Sequence, residues 1–223
     1  MKLAVTGGKG GVGKSTVAYN LGAELDGVVI DGDLGMADLP ARRGPDLHDV
    51  LAGRATPLEA VSEEGAVRLL PCGRSLAGGR GADPTALADV VDAVERQYGT
   101  VVVDVPAGLR SDVGVALLAA DACLLVTRPT RPAVADAVRA RELARAVDTP
   151  LARVVLNRVE QSYPENRLDR LATTLEGPVT QIPDSPAVRR AQRAGLPVRA
   201  VDPDDRATVA FATLATQVKQ GVG

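Results

Sequence analysis

Short apolar runs recur along the chain, separated by longer stretches with helical spacing. The runs fall at residues 3–5, 28–30, 67–70, 100–103, 122–126, 154–156 and 178–182. They are rich in β-branched residues and nearly continuous rather than alternating, the pattern of parallel strands covered on both faces. Between them, residues 84–98 repeat apolar positions at Leu87, Val90, Val91 and Val94, which predicts a helix with one buried stripe. Residues 15–25, 132–147 and 206–218 read as helices too, and Asp184-Ser185-Pro186 caps another running toward Arg193. Strand–helix alternation of this kind predicts an α/β fold, a single doubly wound, mostly parallel sheet flanked by helices with right-handed crossovers. Neither an internal repeat nor a linker is visible, so residues 1–223 read as one domain, with the Gly- and Arg-rich loop 71–83 as its most mobile-looking part.

The first apolar run leads straight into Gly8-Lys9-Gly10-Gly11-Val12-Gly13-Lys14-Ser15-Thr16. This is a G-x-x-x-x-G-K-[ST] phosphate loop, placed where a first strand turns into a first helix. Its glycines let successive backbone N–H groups curl around a phosphate, and the following helix aims its positive end at the same anion. Lys14 supplies a charge for the β- and γ-phosphates, and the Ser15 hydroxyl is a ligand for Mg²⁺. The motif predicts a nucleoside triphosphate site. Lys9 is a second cation in a loop that needs only one, in a chain whose other lysines are Lys2, Lys14 and Lys219. A slim, flexible ammonium is wanted there.

Two strand ends carry acids. The second strand runs into Asp31-Gly32-Asp33 and on to Asp38, and two carboxylates one residue apart leave the same side of an extended chain. Both are expected to face the nucleotide, where acidic groups hold Mg²⁺ and orient the attacking water. The fourth strand ends in Asp104, followed by Val105-Pro106-Ala107-Gly108, a Walker B arrangement in which the carboxylate reaches Mg²⁺.

The string Lys9-Gly10-Gly11-Val12-Gly13-Lys14-Ser15-Thr16 resembles the deviant Walker A motif of the MinD/ParA ATPases, closest to MinD-like members. The resemblance implies a P-loop ATPase that binds Mg²⁺ and ATP, hydrolyses ATP slowly to ADP and phosphate, and forms a homodimer when ATP-bound. Lys9 would reach across that dimer to the partner's phosphates. Asp33 matches the switch I acid that orients the hydrolytic water and approaches the metal, and Asp31 matches its companion. The segment from Asp104 to Gly108 looks like switch II, with Gly108 giving it freedom to move. Asn157 and Arg158 match a V-x-N-R strand end whose amide reads the adenine edge, while Pro183 and Asp184 resemble the loop lining the base from the other side. Relatives usually carry Glu where Thr130 stands, which leaves that acid's role without a bearer here.

Bulk properties narrow the reading. A net charge of −2 and a pI near 5.5 give no overall basic field for nonspecific nucleic-acid binding. Cys72 and Cys123 form no C-x-x-C and read as small apolar residues, which counts against the bridging-cysteine relatives. His48, the sole histidine, is expected on a helix surface, and Arg189, Arg190, Arg193 and Arg199 on a solvated helix face. The start reads as no signal peptide, and the apolar stretch 113–126 is interrupted by Asp121, so the expected location is the cytoplasm. The function expected is an ATP-dependent dimerisation switch in spatial positioning, acting with an unidentified protein partner. Two other classes stay open: a ParA-like partition ATPase binding DNA nonspecifically, with DNA the less expected partner, and a cofactor or metallocentre maturation ATPase.

The C-terminal segment bears on membranes. Phe211, Leu214 and Val218 share one helical face, as expected of residues packed on the domain, and Lys219 is the sole cation of the last seventeen residues. Polybasic attraction of about 1 kcal/mol per cation cannot accumulate from one lysine, so no autonomous membrane anchor is expected. Sedimentation with anionic liposomes and ATP should leave the protein in the supernatant. Pelleting at physiological salt without a partner would overturn this reading of the tail.

Overall fold

The computed structural model describes residues 1–34, 39–40, 43–73, 83–108, 111–160 and 163–222. Within them the chain forms β1 (Lys2–Thr6), α1 (Lys14–Leu25), β2 (Val28–Asp31), α2 (Leu47–Leu51), α3 (Pro57–Ala60) and β3 (Arg68–Leu70). A 3-10 turn, Pro84–Ala86, leads into α4 (Leu87–Tyr98), β4 (Val101–Asp104), α5 (Ser111–Leu118), β5 (Ala122–Thr127) and α6 (Arg131–Ala146). The remainder is β6 (Leu151–Val159), α7 (Glu165–Leu175), β7 (Val179–Pro183), α8 (Pro186–Ala194), α9 (Val198–Val201) and α10 (Arg206–Val222). The expected loop at 71–83 lies outside the described residues from 74 to 82, as do 35–38 of the segment after β2.

The seven strands make one sheet in the order β3-β2-β4-β1-β5-β6-β7, and every pairing is parallel. All seven expected strands are present. β1 lies in the middle, flanked by β4 and β5, so the loop leaving it opens where the chain has wound to both sides. Both faces are covered. Leu3, Val5, Val29 and Val102 pack beneath α1 and α10. Their neighbours Ala4, Val28, Ile30, Val101 and Val103 pack against α2, α4 and α5 on the opposite face. That two-sided burial is why the strands read as unbroken apolar runs.

Local sequence accounts for many helix ends. Asp46 and Thr56 each form a capping box with the residue three positions on, starting α2 and α3. Ser185 accepts from the Ala187 N–H and Pro186 sits in the first turn of α8. Thr130 precedes α6 and makes no side-chain cap. α10 buries Phe211, Leu214 and Val218 against the domain, and Gln217 Oε1 accepts from Arg153 Nε at 2.8 Å and Thr180 Oγ1 at 2.7 Å. Burial lowers the Arg153 pKa from its ordinary value. Among the described residues no helix is long and apolar enough to cross a membrane.

Two expectations change. His48 is not on a helix surface: it is buried at 3% exposure, because its ring packs against Gly73 and reaches the Leu34 carbonyl at 3.1 Å. Helices α5 and α7 were not expected from the sequence. Ser111–Leu118 is so apolar that it merges with β5 in the pattern, whereas Glu165–Leu175 is mostly polar and buries Leu171 and Leu175. Both cysteines are buried free thiols, and burial raises them to about 12 for Cys72 and about 11 for Cys123. The arginines on and after α8 are exposed, and Arg189, Arg190 and Arg199 pair with Asp184, Asp202 and Glu24.

Phe211 is the one phenylalanine and is fully buried. Phe211→Ala should cost about 3–5 kcal/mol through lost burial and the cavity left behind. A urea unfolding curve checks this, with a lower midpoint expected.

Candidate functional site

β1 ends at Thr6, and within the next seven residues the chain must turn back to start α1 at Lys14, whose run returns it to the edge of the sheet where the parallel β2 begins. The turn is made possible by Gly11 (φ 79°) and Gly13 (φ 101°), both in the left-handed region that suits glycine. Gly13 caps α1, whose first N–H groups therefore open outward at the carboxyl edge of the sheet. Around them lies a cleft of about 190 Å³, lined by Gly10, Gly11, Gly13, Lys14, Ser15 and Thr16 of the loop, with Asp33, Asp104, Val105 and Ala107 opposite. Lys14 is buried there at 8% exposure.

The loop is braced from behind. Gly8 does not line the cleft; it lies so close to the α6 backbone that an added Cβ would overlap the Asp136 carbonyl. Val12 is buried in the core and its carbonyl accepts from Asn157 Nδ2 at 2.9 Å. Lys9 is exposed and is absent from the cleft lining. Of the nine motif residues, the cleft thus gathers Gly10, Gly11 and Gly13 to Thr16, while Gly8 and Val12 support the loop and Lys9 lies outside the lining.

The carboxylates separate into two roles. Asp31 and Asp104 are Cα partners at the ends of β2 and β4. Both are buried, but only Asp33 and Asp104 line the cleft. Asp31 is absent from that lining, against the expectation that it faces the nucleotide beside Asp33: Gly32 N–H still makes the ladder bond to Asp104 O at 2.9 Å, but the chain then turns, with Leu34 N–H donating to Gly32 O at 3.1 Å. Asp31 instead accepts from the N–H groups of Asp33 at 3.2 Å and Leu39 at 3.4 Å, holding the turn that presents Asp33. Asp38 lies outside the described residues. Asp31, Asp46 and Asp33 together add to the upward shift of the Cys72 thiol, a sign of the negative field on this side of the cleft. A hydroxyl and two carboxylates on one phosphate-sized cleft form an oxygen donor set that suits Mg²⁺, which takes its other ligands from phosphate and water. Beyond the acids, Gly108 adopts φ 102° with open space around it.

A second cleft, of about 230 Å³, continues from the first through Thr16, Arg158 and Gln192. Its walls include Asn157, Ile182, Pro183, Asp184, Ser185, Val188 and Arg189. Asn157 is buried; besides its bond to Val12 it accepts from Arg158 N–H at 2.9 Å. An amide has two N–H groups and two acceptor lone pairs, so it still has one of each to offer a base edge. Arg158 has φ 57°, where the β6–β7 register shifts, a strained bulge that places its side chain on both clefts. Asp184 is engaged by Arg189 at 2.8 Å and closes the rim. Sequence reasoning missed Gln192, Val188 and Arg189. Their helix was expected, but nothing local marks which of its faces meets a cleft. A third cavity, of about 370 Å³, opens between α1, Leu39, Pro40 and α8 and shares Ser15, Thr16 and Gln192 with the phosphate cleft.

A glycine turn at the centre of a parallel sheet, with phosphate-sized and base-sized clefts in series, defines a P-loop nucleotide-binding protein. The chain belongs to the MinD/ParA ATPases: the CobQ/CobB/MinD/ParA nucleotide binding domain matches residues 3–198. It is 34% identical to an ATP-binding protein of Methanocaldococcus jannaschii, over 97% of this chain and 87% of that one. The cell division ATPase MinD of Pyrococcus furiosus superposes with a TM-score of 0.88 at 30% identity, covering 98% of each chain. The septum site-determining protein MinD of Pyrococcus horikoshii, solved with Mg-ADP, also has a TM-score of 0.88, at 28% identity over 99% of this chain and 96% of that one.

At Gly13 an added Cβ would overlap the Asn157 amide in a left-handed backbone. Gly13→Ala should therefore cost about 1–3 kcal/mol in strain and displace Asn157 from Val12. Melting temperature and nucleotide affinity should fall together. Gly10→Ala, with open space around the added Cβ, should leave the melting temperature unchanged.

Proposed function

We propose that residues 1–223 act as one Mg²⁺-dependent ATPase domain whose ATP-bound form is a homodimer, a MinD-like switch for positioning a cellular structure through a protein partner. The observation carrying this reading is the division of labour between the loop lysines. Lys14 is buried in the phosphate cleft, whereas Lys9 is exposed and outside it. Two nucleotides brought face to face repel unless cations from both chains intervene, and an exposed ammonium on the loop can supply one. The pairing of Arg189, Arg190 and Arg199 with acids argues against a basic DNA-binding face on α8 and α9.

Within one protomer the backbone of Gly10 to Thr16 and the Lys14 ammonium hold the phosphates. Asn157, Arg158, Pro183 and Asp184 flank the base. Bound through Ser15, Asp33 and Asp104, Mg²⁺ would offset the charge that develops on the transferred phosphoryl oxygens. Asp33, held by Asp31, orients water for in-line attack on the γ-phosphate, and Lys9 from the opposite protomer completes the charge balance. The proposed location is cytoplasmic.

The test is ATP turnover and mass by size-exclusion chromatography for three proteins. Wild type should dimerise with ATP and hydrolyse it. Asp33→Ala should slow hydrolysis by about 10²-fold or more and accumulate the ATP-bound dimer. Lys9→Ala should bind ATP as a monomer without hydrolysing it. Wild-type dimerisation of Lys9→Ala would reduce Lys9 to a loop charge, and unchanged turnover in Asp33→Ala would remove Asp33 from the mechanism.

A further inference from the structure

The sole histidine lies beside the switch acids rather than on the surface. His48 on α2 places Nε2 at 3.1 Å from the Leu34 carbonyl, and Leu34 directly follows Asp33. A carbonyl only accepts, so the ring proton is assigned to Nε2, and Nδ1 is left as an acceptor. Nδ1 is buried, with no hydrogen-bond partner among the described residues. Gly73 packs against it so closely that a Cβ there would overlap the ring nitrogen. Cys72 Sγ lies 3.5 Å from Nε2, and with its thiol raised to about 12 it stays protonated and is at most a weak acceptor. The imidazole is therefore wedged by Gly73 on one side and aimed at Leu34 on the other.

The Asp33–Leu34 turn carries short local bonds, Asp33 N–H to Asp31 and Leu34 N–H to Gly32 O. His48 adds a tie from a separate element, α2, which is itself fixed by its capping box and by Leu47 N–H to Pro71 O. We propose that His48 is a positioning residue for ATP hydrolysis: by donating from Nε2 to the Leu34 carbonyl it holds the turn that presents the Asp33 carboxylate to the phosphate cleft. This rests on the reading of Asp33 as the water-orienting acid. The ring touches neither cleft, so its effect falls on turnover and not on nucleotide binding.

Steady-state ATP hydrolysis by the full chain tests it, with His48→Leu, His48→Gln, Gly73→Ala and an Asp33→Asn control. His48→Leu should lower kcat about tenfold with KM for ATP within about twofold of wild type, since a slightly misplaced group costs rate more than binding. His48→Gln, whose amide N–H can reach the same carbonyl, should recover most of that loss. Gly73→Ala keeps the imidazole but pushes it, and should reproduce the fall in kcat even if His48→Leu fails to fold. The proposal is overturned if Gly73→Ala turns over like wild type, or if glutamine gives no rescue and KM rises with the fall in kcat. Wild-type turnover in Asp33→Asn would remove the role of Asp33 and this tie together. Slow turnover there with full turnover in Gly73→Ala would remove only the tie.

Discussion

A chain that turns from a central strand into a helix leaves the first N–H groups of that helix without backbone partners, and this site is organised around that deficit. The turn needs left-handed backbone at Gly11 and Gly13, and such a turn would be soft on its own. It is stiffened from three directions: the α6 backbone behind Gly8, the Asn157 amide on the Val12 carbonyl, and the buried Lys14 side chain. The donors are thus held in place before any anion arrives. Preorganised dipoles of this kind need no rearrangement when charge appears, and this makes them effective in a dry cleft.

The acids obey the same logic of support behind display. Asp31 and Asp104 sit side by side at two strand ends, yet Asp31 is spent on backbone N–H groups and Asp33 is shown to the cleft. A buried carboxylate bonded to two N–H groups fixes a loop more firmly than a side chain in water could. The Asp31–Leu39 bond also ties the turn to one wall of the third cavity, so the shape of that cavity and the position of Asp33 are set by one residue.

Much of this was legible in the sequence because parallel strands buried on two faces have no polar positions to interrupt them. All seven strands followed from that pattern, and the phosphate loop from its glycine and lysine spacing. What failed did so where the rule's premise failed. The two-residue alternation placing Asp31 beside Asp33 holds only for extended backbone, and β2 ends at Asp31. The apolar stretch 113–126 hid the boundary between α5 and β5, since a short helix at the edge of a core can be as apolar as a strand. His48 looked like a surface residue because its burial depends on Leu34 and Gly73, contacts no local pattern announces. The dual duty of Asn157 was invisible for the same reason, as was the reach of Gln192 into three cavities.

The position of β1 sets the timetable on which this site comes into being. Its hydrogen-bonding neighbours are β4 and β5, both encoded far downstream, and the amide that clasps Val12 lies 145 residues further along. The phosphate loop is therefore made before the strands and the amide that give it its shape. Until β4 emerges, β1 has neither sheet neighbour, and the entropy of closing so long a loop must be met before any contact rewards it. Nucleotide binding is in this sense a report on much of the chain: the motif is local in sequence, but the contacts that hold its geometry come from β4, β5 and Asn157.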